Sequence, residues 1–321
     1  MFEKTGIREA IRIVARHSNI SRPGTGGLFK SYGLFAGSRE WKTFLDVALL
    51  TLGTGFVLAG IIFFFAYNWQ DLPKGVKIGL IEVLVIACGC YAVFSRSRPF
   101  VRNMVLTAAA ILTGALFAVY GQIYQTGADA YDFFFGWAAA ILLWAMVAAF
   151  PALWLLLLLL LNLTLWFYTQ QVASDWATNT VWNALFLLNG IPLVLLEWLQ
   201  MKKRLPPHSG WMLRTVAIAA ALILTAGIVF SIFDSSESGV PGAILALIFF
   251  PLGIWSSVAN RNLFYLALVP LCIIIIISSL IGNSFNDWGA MLLLNSIFII
   301  GSITALSFQL IRLNREWHGS K

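Results

Sequence analysis

A chain of 321 residues that is 60% hydrophobic and only 11% charged, with a mean hydropathy of +0.84, is not a soluble globular protein; soluble domains sit near about 25% charged residues. On a soluble surface a net charge of +7 would suggest a nucleic-acid partner. Here no basic patch is interleaved with solvent-facing aromatics, so no nucleic acid is expected, and the excess positive charge suits the anionic headgroups of membrane lipids.

The chain opens with a basic cytoplasmic segment and linker, residues 1–40. Within it, Ile7, Ile11 and Val14 recur at helical spacing from Glu3 to Asn19, beside a stripe of Arg8, Arg12 and Arg16. An amphipathic helix lying on the membrane interface fits this pattern, and so does a solvated tail that packs loosely. Ser21-Arg22-Pro23-Gly24-Thr25-Gly26-Gly27 reads as a flexible break. No apolar stretch ending in a small-residue cleavage site precedes the first long run, so no cleavable signal peptide is expected.

Apolar runs of about 20 residues follow, each long enough to cross roughly 30 Å of hydrocarbon as a helix. The expected spans are Phe44–Tyr67, Val76–Ser95, Val101–Tyr120, Tyr131–Phe150 and Ala152–Tyr168, then Thr180–Leu199, Met212–Phe233, Val240–Ala259, Leu263–Ile281 and Gly289–Ile311. Ten crossings leave both termini on one side. All of the 21 Lys and Arg residues except Lys74 and Lys77 then fall on that side, which the excess of basic residues in cytoplasmic loops identifies as the cytoplasm. The weakest join is Phe150-Pro151, which carries no charge. Read as a kink instead of a turn, it would invert every later span and put the basic clusters outside. The expected fold is therefore an all-α polytopic transmembrane bundle with both ends cytoplasmic, residues 41–151 forming a first membrane half and residues 152–321 a second half with a short basic tail.

Polar groups inside the spans mark candidate sites. Glu82 stands in the second run, where an ionised carboxylate costs a few kcal/mol unless paired or protonated. It shares a helical face with Gly75, Gly79 and Gly89, so it is expected to look into a helix contact and not at lipid. Asp46, near Lys42, and Glu197, near Lys202 and Lys203, read as interfacial ion pairs. The small-residue pairs Ala110/Gly114/Ala118 and Gly55/Ala59 read as helix contacts within one molecule. Cys88, Cys90 and Cys272 lie in spans, and the first two point to different faces of one helix, which is poor metal geometry; no metal and no cofactor are expected.

The outer ends of the first, third and fourth spans are richer. They carry Asn68 and Trp69, then Gln122, Tyr124 and Gln125, then Asp132 and Trp137. Trp and Tyr are ordinary anchors at headgroup level. Amides and a carboxylate mixed among them make a plausible lining for a small polar solute or a lipid headgroup. No catalytic or nucleotide-binding motif is present in the sequence, and His17, His208 and His318 lie in tails or loops. An enzyme is not expected.

Ala66-Tyr67-Asn68-Trp69 after a glycine-rich span, then Gly121-Gln122-Ile123-Tyr124-Gln125-Thr126-Gly127 and Phe135-Gly136-Trp137, resemble the bacterial predicted-membrane-protein family called domain of unknown function 2157. The resemblance runs from about Trp41 to Pro151. It implies an inner-membrane protein without an assigned activity, whose relatives are encoded beside other small envelope proteins. Two functions are consistent with these readings. One is transport or binding of a small solute or lipid at Glu82 and the outer polar-aromatic cluster. The other is a non-catalytic subunit that holds other envelope membrane proteins together.

Overall fold

The computed structural model describes residues 11, 14, 22–32, 37–67, 72–202, 210–234, 238–285 and 287–318. Among the described residues are eleven helices and no strand. They are α1 (Arg22–Ser31), α2 (Ser38–Tyr67), α3 (Lys74–Phe94), α4 (Pro99–Tyr124), α5 (Ala130–Ala148), α6 (Pro151–Gln171), α7 (Thr178–Met201), α8 (Gly210–Phe233), α9 (Val240–Ala259), α10 (Leu263–Ser284) and α11 (Trp288–His318). Ten of them, α2 to α11, are long and apolar enough to cross a membrane. Helices satisfy their own backbone polar groups, the condition that hydrocarbon imposes.

The ten expected spans and the ten long helices correspond one to one, with informative differences at the ends. Pro73 stands at the N-cap of α3, and the helix starts directly behind it at Lys74, two residues before the expected span, with Lys77 buried. The third span runs on through Gly121-Gln122-Ile123-Tyr124 and stops only where Gln125 turns left-handed at φ 46°. Phe150-Pro151 is a true turn. Ala149 closes α5 at φ 46°, and Pro151 opens α6, where a missing N–H costs nothing.

The flexible break expected over Ser21–Gly27 is overturned, because α1 spans most of it. Pro23 falls in the first turn, where proline is tolerated. Leu28 and Phe29 are half-buried, which helps to offset the weak helix propensity of three glycines. Of the helix expected over Glu3–Asn19, only Ile11 and Val14 are described, the first buried and the second exposed; the rest lies outside the described residues.

Packing follows chain order. The closest pairs are the hairpins α3–α4, α5–α6 and α7–α8. Leu58, Phe65, Ile81, Leu112 and Val119 form a core between α2, α3 and α4, and Ala110, Ile141, Ala145, Leu153 and Leu157 form one between α4, α5 and α6. A larger core of α7 to α10 is built on small residues of α8, among them Ala217, Ala220 and Ala221, with Phe186, Val269 and Cys272 around them. α2 and α11 are peripheral, resting chiefly on α4 and α10.

Between the first five spans and the rest, α6 and α7 touch lightly. There Asn162 and Asn189 exchange two amide hydrogen bonds. Asn162 Nδ2 donates to Asn189 Oδ1 at 3.2 Å, and Asn189 Nδ2 to Asn162 Oδ1 at 2.6 Å. Each residue is eleven positions into its helix, close to mid-membrane. On the Pro192 side of this clasp the helices part around an apolar cleft of about 540 Å³, walled by Trp154, Leu158, Leu196 and Val216.

Candidate functional site

At the Tyr67 and Gln122 end of the first half lies a cleft of about 690 Å³ between α2, α4 and α5, floored by Ile81 of α3. Its geometry starts from one glycine. A Cβ on Gly114 would lie 2.4 Å from the Trp137 ring, so only glycine lets the indole of α5 lie against the α4 backbone. Trp137 Nε1 then donates to Ala110 O at 2.7 Å, one turn back along α4. This anchors the ring and leaves its face to form a wall. Ile61 and Phe65 of α2 and Ile111 and Val119 of α4 supply apolar surface, and Ala118 leaves the space open. The polar groups at the lining are Gln122 and Tyr67, both exposed near the C-terminal ends of their helices. An amide and a phenol can hydrogen-bond a polar head, while the apolar walls bury its tail.

The structure brings together only part of the set expected from the sequence. Gln122 and Trp137 meet in the cleft. Tyr124 is exposed and leans on Tyr120, ring centroids 4.6 Å apart. Gln125 forms the left-handed end of α4. Asp132 lies in the first turn of α5, where a carboxylate complements the helix dipole for about 0.3–1 kcal/mol. Asn68 and Trp69 lie outside the described residues.

Glu82 is exposed on the outer side of α3, and a Cβ on Gly75, Gly79 or Gly89 would meet nothing within 4 Å. Among the described residues no side chain packs against this face, so the helix contact expected for Glu82 is not made within them. α3 turns its Ile81 side to α4, because that side offers bulk to fill the core and the glycine side does not. Gly55 is likewise open, so among the described residues the α4 stripe makes a contact within the chain, at Gly114, and the Gly55 position does not.

Glu197 accepts a hydrogen bond from the Tyr265 hydroxyl of α10; among the described residues it forms no ion pair with Lys202, and Lys203 lies outside them. Arg214 sits 5.8 Å from the Phe264 ring beside it. Asp46 and Lys42 form no ion pair among the described residues, where Arg312 and Glu316 do, at 2.8 Å. No group of three His, Cys, Asp or Glu among the described residues could hold a metal ion.

Two polar networks are absent from the sequence reading. One is the Asn162–Asn189 clasp. The other ties the start of α7 and the end of α8 to the turn before α9, where Ser231 Oγ donates to Asn179 Oδ1 at 2.8 Å and Asn179 Nδ2 to Ser238 O at 3.0 Å. The available signal was an asparagine inside an otherwise apolar run, as in Leu161-Asn162-Leu163, since a buried amide needs a partner.

Comparison with curated proteins and with solved structures gives no match. A family model matches from residue 20 to residue 154, further at both ends than the resemblance seen in the sequence, and takes in α1 to the opening of α6 with every residue of the cleft. This is a membrane protein of about ten spans, a little under half of which matches the family described as Predicted membrane protein (DUF2157).

Proposed function

We propose that the protein binds an amphiphile, a lipid or a small solute with an apolar body and a hydrogen-bonding head, in the cleft between α2, α4 and α5. The observation that carries this reading is the seating of Trp137. A glycine notch and an indole hydrogen bond fix one wall of a space whose remaining walls are apolar and whose outer end offers Gln122 and Tyr67. Glu82, grouped with the polar-aromatic cluster in the sequence, is exposed and does not line the cleft, so the reading is binding without a coupling carboxylate. The amide of Gln122 and the phenol of Tyr67 act in this reading as hydrogen-bonding groups for the head.

The membrane is the bacterial cytoplasmic membrane, with both termini in the cytosol. An even number of spans and the collection of nearly all Lys and Arg on one side support this. The test of binding is Ala118→Phe, which places a ring in the open part of the cleft. Native mass spectrometry of the full-length protein from mild detergent is expected to show a bound amphiphile on the wild type, reduced at least tenfold in the variant. Equal occupancy in both would end this reading.

A further inference from the structure

The outward face of α3 carries a pattern that the cleft does not use. Gly75, Gly79, Glu82, Ile86, Gly89 and Val93 succeed one another at intervals of four, three, four, three and four residues. That alternation keeps one stripe of a helix against one neighbour along a left-handed pair, and glycines in such a stripe allow close approach of two membrane helices. Among the described residues the chain supplies no neighbour. The three glycines have open space where a Cβ would be, and Ile86 and Val93 are 62% and 72% exposed.

Glu82 lies in the middle of the stripe. It is the ninth of the 21 residues of α3, about 12 Å from the helix start at 1.5 Å per residue, and so close to mid-membrane. Among the described residues it has no hydrogen bond or ion pair. A carboxyl group turned to hydrocarbon at that depth costs a few kcal/mol, and such groups are found paired. The opposite side of α3 is already used, with Ile81 and Lys77 buried.

We propose that this stripe is the contact between two copies of the protein, related by a twofold axis along the membrane normal. α3 of one copy then runs parallel to α3 of the other. In a twofold contact each residue near the axis meets its own counterpart, so glycine faces glycine and the helices close up. Glu82 meets Glu82 at equal depth, whatever that depth is. Each carboxyl group then finds a hydrogen-bonding partner in the other. A different protein would have to present its own donor at the level of Glu82, whereas a second copy does so by symmetry. The stripe lies on the other side of α3 from Ile81 and the cleft, so the proposal stands independently of the binding reading.

The test uses the full-length protein in native membranes, with Cys88, Cys90 and Cys272 replaced by Ala. Val93→Cys places a thiol on the stripe. Leu80→Cys, 42% exposed in the wild type, places one on α3 away from it. Mild oxidation is expected to give at least tenfold more covalent dimer from Val93→Cys than from Leu80→Cys. Adding Gly79→Leu to Val93→Cys is expected to abolish that excess while the monomer still elutes as folded protein, since Gly79 has open space in the single chain. Equal yields at the two positions, an unchanged yield with Gly79→Leu, or a covalent adduct with a different protein in place of a second copy would each overturn the proposal.

Discussion

Replacing Gly114 by Ala tests whether the Trp137 wall is built as described. The added methyl would stand 2.4 Å from Trp137 Cε2 and Cζ2, so the ring must leave its seat. Forcing an extra methyl into a packed contact costs about 1–3 kcal/mol. Moving the indole also breaks its 2.7 Å bond to Ala110 O, a further loss of about 0.5–1.5 kcal/mol. Against this stands the better helix propensity of alanine, up to about 1 kcal/mol. The expected net effect is a destabilisation of about 1–3 kcal/mol. With 13 tryptophans in the chain, emission does not report on Trp137 alone, so the assay is loss of helix by far-ultraviolet circular dichroism during titration with a denaturing detergent. Gly55→Ala is the control, because its methyl enters open space and is expected to leave stability unchanged or slightly raised. If Gly114→Ala tracks Gly55→Ala, the notch does not hold the ring.

Asn189→Leu leaves the Asn162 amide without its partner across the α6–α7 join and is expected to cost about 1–2 kcal/mol in the same titration. Asn162→Leu combined with Asn189→Leu removes both amides and is expected to recover part of that loss; a double variant less stable than either single one would contradict the clasp. Reporter fusions test the orientation. One inserted at Ser236 and one at the C-terminus are expected in opposite compartments, and finding both in the same one would remove an even number of crossings.

Hydropathy located the spans well because the bilayer sets a minimum length for an apolar run, and length is written directly in the sequence. Which side of each helix packs was far less legible. In a soluble protein the polar side points outward, whereas lipid is as apolar as a core, so Ile81 and Ile86 look alike by composition although one is buried and the other 62% exposed. Glycine has the same ambiguity. Gly114 makes a notch for a ring and Gly79 faces open space, yet both stand in similar apolar surroundings. At the outer ends the aromatic and amide residues were visible, and their convergence was only partly so. Gln122 reaches the cleft because α4 continues one turn past the expected end, which depended on Gly121 staying helical.

The light contact between α6 and α7 bears on how the molecule can move. The groups that bond across it, Asn162 and Asn189, lie near the middle of both helices, with Pro192 one turn further along α7 and an unfilled apolar gap beyond. A pair of amides can rotate about their shared axis without parting, while an interlocked core would resist. Any rocking of one five-helix block against the other would turn about that pair, and the gap beside Trp154 and Leu196 is the free space it could use.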